Sequence, residues 1–422
     1  MLNQMMQKSR YAFAILSCCF ISPITLQAAT QTKTLSLDKA IEWTLAQNPQ
    51  LHQFTFIRQG ILGQRETNAL TPGYELGLDV ENAGGSGAME GLDAAEVTLS
   101  LSSVIEMGDK QKSRISVFDA NLDVFELNRQ AQTLDVLGQL TSAFIRGLAT
   151  QEQLNLSAEA VKLSVALHKK VSERAQRGAA SDAEVLRAQA LVTQSHILRN
   201  KLLKKLERQK ISLSRYWGET LPVISNFQGE LFAFGQEKSF QALFEKVKQS
   251  PAINVFASEQ RLKEAELRLA KSQNSSDLGW QFGVRRFEET ADTALTLGVS
   301  IPLFTQSRNT GEVKRVLAER NAVTFRRTDA LLNLHEQLYK AYSLRQQNID
   351  AYQQLKTHVI PDLEKALSLT QLAYDRGRLK YQDWIAAQQE LLSAKQQMIE
   401  SASAALLNQA IIEQLTAEPL TD

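Results

Sequence analysis

The chain has 422 residues, enough for two or three ordinary domains, and its 47 basic and 46 acidic residues leave a net charge of +1. That balance excludes an electrostatic nucleic-acid binder, which carries a basic excess. Gly and Pro are sparse, at 20 and 8, while Ala, Leu, Gln, Glu, Lys and Arg fill long blocks, the composition of extended helices.

Residues 1–28 have the pattern of a secretory signal peptide. Lys8 and Arg10 give a basic start, an apolar run extends from Tyr11 to Ile21, Pro23 breaks it, and Leu26-Gln27-Ala28 offers a small residue before a cut. The run is too short to span a bilayer as a helix. Cleavage is expected after Ala28; Ile15-Leu16-Ser17-Cys18 is an alternative lipoprotein box that would make Cys18 a lipidated N-terminus. Cys18 and Cys19 are the chain's two cysteines. Cleavage after Ala28 therefore leaves no disulfide framework, no cysteine metal site and no thiol nucleophile.

Helical periodicity starts at 36–47 and resumes at 49–70, with Asn48-Pro49 as the break. The period then changes to two. In 73–82 Tyr74, Leu76, Leu78 and Val80 alternate with Glu75, Gly77, Asp79 and Glu81, and in 96–105 Val97, Leu99 and Leu101 alternate with Thr98, Ser100 and Ser102. The connection "NAGGSGAMEGLD" (82–93) reads as a loop. A long helix is expected over 109–176, which has no Pro, followed by a turn at Arg177-Gly178 and a return helix over 180–217.

The same order then repeats. "LDKAIEWTLAQNPQL" (37–51) is echoed by "FQALFEKVKQSPAI" (240–253), "GYELGLDVE" by "GWQFGVRR" (279–286), "VTLSLSSVI" by "LTLGVSIPL" (295–303), and "QRGAASDAEVLRAQ" (176–189) by "DRGRLKYQDWIAAQ" (375–388). The chain is thus two copies of one unit. The first repeat covers 29–217 and the second 239–417, joined by a Gly- and Pro-containing linker at 218–238 and ending in a tail at 418–422. In the second copy, strands are expected at about 279–287 and 293–303, a long helix at 312–376 kinked by Pro361, and a return helix at 380–416. A coiled-coil seam runs through Ala387, Leu391, Ala394, Met398, Ser401, Ala405, Asn408 and Ile412.

Each Arg-Gly is expected to end a helix, with Gly178 and Gly377 in the left-handed conformation and Ser181 or Asp182 capping the return helix. Two readings of the strands stay open at this point: a half-buried sheet over a soluble core, or part of a transmembrane barrel with interfacial aromatics. Four strands cannot close a barrel, and open edges are excluded from lipid, so the second reading requires an oligomer that pools its strands.

Catalytic chemistry finds no pattern. His52, His168, His196, His335 and His358 are scattered without metal-ligand spacing, the glycines at 84–87 lack the Lys of a phosphate loop, and no nucleophile elbow appears. No enzyme activity, metal site or cofactor is expected.

The ordered duplicated pattern resembles the TolC-type outer-membrane efflux factors over about 36–416. The pieces that carry it are "LSLDKAIEWTLAQNPQL", "LSLSSVIEMGDKQKSRI", "RGAASDAEVLRAQALV", "GVSIPLFTQSRNTGEV" and "YDRGRLKYQDWIAAQQELL"; the second and fourth resemble the heavy-metal-efflux branch. The resemblance implies a mainly α fold with a small β part: two tandem repeats of long antiparallel helical hairpins plus four strands per chain. It implies a homotrimer that pools the strands as a 12-stranded transmembrane β-barrel on an α-helical barrel, in the outer membrane with a long periplasmic extension. It implies a passive efflux duct, with heavy-metal cations as the expected cargo. A periplasmic adaptor, or membrane fusion protein, would join it to an inner-membrane RND-type pump. Drug efflux or type I protein secretion, and a periplasmic coiled-coil scaffold without a barrel, are the alternatives. The resemblance places adaptor docking on Arg177, Gly178 and Ala179 in the first tip and on Arg376, Gly377, Arg378 and Leu379 in the second. A periplasmic gate is placed at Asp375 and Asp383. Many members of that family carry Val-Gly-Leu-like tips, from which both tips here depart.

Overall fold

The computed structural model describes residues 33–222, 224–305 and 309–418; the expected signal peptide, the alternative at Cys18 and most of the tail lie outside them. In chain order the elements are β1 (Lys33–Ser36), α1 (Leu37–Gln47), α2 (Pro49–Asn68), β2 (Glu75–Glu81), β3 (Glu96–Ile105), α3 (Lys110–Gln176) and α4 (Asp182–Ser214). The second copy follows as β4 (Ile224–Gln228), α5 (Phe240–Lys248), α6 (Pro251–Ser272), β5 (Leu278–Phe287), β6 (Thr293–Ser300), α7 (Thr310–Gln354), α8 (Ile360–Asp375) and α9 (Tyr381–Thr416).

Asn48 ends α1 and starts α2. Its side-chain oxygen accepts from Leu51 N, its amide nitrogen donates to Tyr216 O at 2.7 Å, and Pro49 occupies the first turn, where its missing N–H costs nothing. Pro361 behaves differently. Its ring clashes with the carbonyl four residues back, and a π turn at Leu355–Val359 absorbs the conflict between α7 and α8.

The 67 residues of α3 make a rod of about 100 Å at about 1.5 Å per residue. It packs on its own return helix α4 and on α6 of the other copy, and α9 packs on both α3 and α7. This double contact explains why α9 buries more than the expected seam. Leu391, Ala394, Ala405 and Ile412 are buried, and so are Trp384, Gln388, Ile399, Ala402 and Gln409 on the flanking positions. Lys395 ties α9 to Glu159 of α3 at 2.9 Å and to Glu364 of α8 at 3.0 Å. Burial lowers its pKa, but the two carboxylates outweigh that and hold it above the usual lysine value.

The segment expected as a linker is a packed belt. Its strand β4 pairs in parallel with β1, a strand that no periodicity predicts, and the Phe227 ring meets Phe144 of α3 edge to face at 5.3 Å. Gly147 makes room: a Cβ there would sit 2.6 Å from Phe227 Cζ. Trp43 and Trp217 pack at 5.5 Å in the same core. Farther along the belt, the buried Arg345 donates to Gly235 O at 2.6 Å, and burial lowers its pKa against the pull of Glu237 and Glu413.

Candidate functional site: a two-faced sheet and the helical tips

The four longer strands form one antiparallel sheet in the order β2-β3-β5-β6, so the hairpin of each copy lies beside that of the other. The expected strand at 293–303 stops at Ser300, just before Pro302. Register carries the alternation across all four strands. Leu76, Leu101, Phe282 and Leu297 form one row, and Leu78, Leu99, Val284 and Leu295 the next. This face is bare: Leu297 is 84% and Leu295 70% exposed. A contiguous exposed apolar face of this kind marks an interaction with protein or lipid. Tyr74 and Trp280 meet edge to face at 6.2 Å at the end of the sheet nearest the helices, where amphipathic rings suit a headgroup layer.

The opposite face is polar and made of small residues at its centre. Gly77, Ser100, Gly283 and Thr296 lie in one cross-strand row, and a Cβ at Gly283 would come within 2.7 Å of Thr296 Oγ1 and 2.9 Å of Leu99 O. On this face Thr98 and Ser100 are buried, at 3% and 4%, while Leu99 and Leu101 on the other are 51% and 40% exposed, as on a sheet that curls toward its small-residue side and makes the polar face concave. It carries four carboxylates, Glu75, Asp79, Glu81 and Glu96, and one guanidinium. Arg285 bridges the outer two, reaching Glu81 at 2.8 Å and Glu96 at 2.7 Å. This offsets the repulsion between two like charges that face each other across the ladder. Glu75 and Asp79 have no ion-pair partner among the described residues. The sheet's outer strands, β2 and β6, each leave one edge unpaired.

The hairpin tips lie at the far end of α3 and α8. Both end in the same hydrogen-bonded turn. Gly178 N donates to Ala175 O and Ala179 N to Arg174 O; Gly377 N donates to Tyr374 O and Arg378 N to Ala373 O, all at 2.9 Å. Both glycines have φ of 73°, which an L side chain rarely adopts, so each Arg-Gly is a Schellman stop. Ser181 then caps α4 in a capping box with Glu184: Glu184 N donates to Ser181 Oγ at 3.3 Å and Ser181 N to Glu184 Oε2 at 3.1 Å. The second tip keeps half of this device, because Asp383 accepts from Lys380 N at 2.9 Å while Lys380 has no acceptor to return.

The tips are joined to each other. Leu167, Val171, Ala188, Tyr374, Tyr381 and Trp384 form one apolar cluster drawn from both hairpins. Lys170 pairs with Asp375 at 2.7 Å. The Arg174 guanidinium lies 4.4 Å from the centre of the Tyr374 ring and donates to the Tyr374 carbonyl. Burial raises the pKa of the Tyr374 and Tyr381 phenols. Of the two acidic residues expected at a gate, Asp375 thus spans the hairpins and Asp383 starts a helix. Arg177, Gly178, Ala179, Arg376, Gly377, Arg378 and Leu379 all lie on the exposed turns. Lys170, Arg174 and Tyr374 had no signal in the linear sequence, since their contacts join segments about 200 residues apart.

The described residues contain no cluster of three or more His, Cys, Asp or Glu side chains able to hold a metal ion, and no helix among them is long and apolar enough to cross a membrane.

A bare-backed, curved four-stranded sheet on long duplicated hairpins defines the TolC-type outer-membrane channel fold. The solved outer-membrane channel OprN superposes with a TM-score of 0.75 at 14% identity, over 91% of this chain and 90% of that one. In sequence, the cobalt-zinc-cadmium resistance protein CzcC of Cupriavidus metallidurans is 22% identical over 291 residues, 69% of this chain and 70% of that protein. The nickel-cobalt-cadmium resistance protein NccC of Alcaligenes xylosoxydans xylosoxydans is 24% identical over 245 residues, 56% of this chain and 54% of NccC. No known family profile matches the chain.

Proposed function

We propose that the chain is the outer-membrane channel of a tripartite efflux assembly, a passive duct built from three copies. The observation that carries this is the sheet: apolar outside, polar and concave inside, with two unpaired edges. Lipid tolerates such a sheet only when its edges are closed. Three copies supply twelve strands, an even number within the range of bacterial barrels. The helices below would line the periplasmic tunnel, and the tips would meet a periplasmic adaptor that connects the duct to an energised RND-type inner-membrane pump.

Metal cations are the cargo we favour over drugs or proteins. The unpaired Glu75 and Asp79 on the concave face, repeated threefold, lower the energy of cations in the exit lumen. The names of CzcC and NccC, as resistance proteins for cobalt, zinc, nickel and cadmium, point the same way. A duct gains nothing from holding its cargo tightly, so no resident metal site is part of this reading. At the other end, Lys170 and Arg174 against Asp375 and Tyr374 would latch the two hairpins in the closed position, with Asp383 fixing the start of the returning helix.

The test is a deletion strain challenged with zinc, cobalt, nickel and cadmium salts. The proposal expects lower tolerance to at least one metal, restored by the full-length gene; tolerance unchanged for every metal, with lost tolerance to drugs, would move the cargo to the drug class.

A further inference from the structure

The charges at the tips divide into two groups. Arg174, Lys170, Asp375, Glu184 and Asp383 are all held by partners within the hairpins. Arg177, Arg376, Arg378 and Lys380 are exposed and have no side-chain partner among the described residues. Asp182 sits in the first turn of α4, where the helix dipole favours an acid.

Local energetics explain only half of these cations. Arg177 and Arg376 occupy helix C-caps, where the negative end of the helix welcomes a positive charge. Arg378 and Lys380 have no such reason. The matching positions of the first tip are Ala179 and Ser181, and Ser181 is a working cap. Lys380 stands at the N-cap of α9, facing the positive end of that helix and unable to accept its free N–H. The second tip therefore carries charge at a cost to its own hairpin, around the apolar Leu379, which is 38% exposed.

We infer that the tips dock on a protein partner whose contact surface presents carboxylates opposite Arg376, Arg378 and Lys380, with a small apolar pocket for Leu379. This rests on the reading of the tips as the docking ends. A protein surface fits better than an anionic lipid layer because the cations surround an apolar side chain on a rigid turn, an arrangement that rewards a shaped partner. Charge opposite charge at such a rim sets association rate and excludes partners with basic tips.

The experiment replaces residues in the full-length chain and reads metal tolerance in the deletion strain. Arg378→Glu with Lys380→Glu is expected to fall to the level of the deletion strain. Lys380→Ser restores the cap of the first tip, so it is expected to raise the thermal stability of the purified channel while still lowering tolerance. Suppressors of the double Glu variant are expected to change an acidic residue of the adaptor to a basic or neutral one. Gly377→Pro separates the two layers of the argument. If it abolishes tolerance while both charge variants behave as wild type, docking stands and the acidic partner is wrong. If Gly377→Pro and the charge variants are all as wild type, docking at the tips is wrong and the inference falls with it. Binding of the purified channel to phosphatidylglycerol vesicles but not phosphatidylcholine vesicles, lost in the double Glu variant, would assign the cations to lipid and overturn the proposal.

Discussion

Arg174 of the first hairpin is held over Tyr374 of the second, the guanidinium 4.4 Å from the ring centre and donating to the tyrosine's carbonyl. Arg174 thereby caps the end of a helix that belongs to the other repeat. A partly desolvated cation–π contact is worth about 1–2 kcal/mol. The Tyr374 carbonyl already accepts from Gly377 N, so the added charged hydrogen bond falls at the low end of about 1.5–3 kcal/mol. The nearby Lys170–Asp375 pair is more than a third exposed on both sides, so solvent limits it to about 0–1 kcal/mol.

Arg174→Ala should therefore loosen the joined tips far more than Lys170→Ala. Single-channel conductance in planar bilayers is the direct readout. The expected result is a larger or more frequent open state for Arg174→Ala and a small change for Lys170→Ala. Equal conductance in wild type and both variants would show that these contacts do not hold the channel closed.

Gly178→Ala and Gly377→Ala meet no steric obstacle within 3.4 Å, yet both force a side chain into φ of 73°. Each should cost about 1 kcal/mol and leave the fold intact. Thermal unfolding of the purified channel checks this. Proline at either position is a different case, because its φ is fixed near −65° and the turn must be rebuilt.

The luminal charge makes an electrical prediction. Glu75→Gln with Asp79→Asn removes the two unpaired carboxylates from each chain and leaves the Arg285 bridge to Glu81 and Glu96 in place. In a KCl gradient the reversal potential should shift toward zero from a cation-selective wild-type value. Arg285→Gln should shift it the other way and also destabilise the strands, since Glu81 and Glu96 would then face each other unscreened.

At the belt, Gly147→Ala places a methyl group 2.6 Å from the Phe227 ring. Overpacking of this kind costs about 1–3 kcal/mol. Limited proteolysis should then cut within 218–238 sooner than in wild type, while Gly60→Ala, on an open helix face, should leave the digestion unchanged.

Much of the architecture was legible because it depends on local rules. The period-two alternation placed the strands, Asn48-Pro49 placed a helix break, and the recurring Arg-Gly placed both tips. The parts that were not legible depend on contacts between distant segments. β1 has four residues, too few for a periodicity, and its identity as a strand comes from pairing with β4 far along the chain. The glycines and prolines of 218–238 signalled a linker, and nothing local revealed that Phe227 would fill the space left by Gly147. The family resemblance is what points to Asp375, whereas Lys170, Arg174 and Tyr374 gain their contacts only when the two hairpins meet.

If separate chains complete one barrel, the mass of the complex purified from outer membranes, by light scattering with the detergent contribution subtracted, shows it. Three chains are expected in one detergent-bound particle. A monomer or dimer that stays in solution without detergent would contradict it, because the bare apolar face and open strand edges would then have no membrane to explain them.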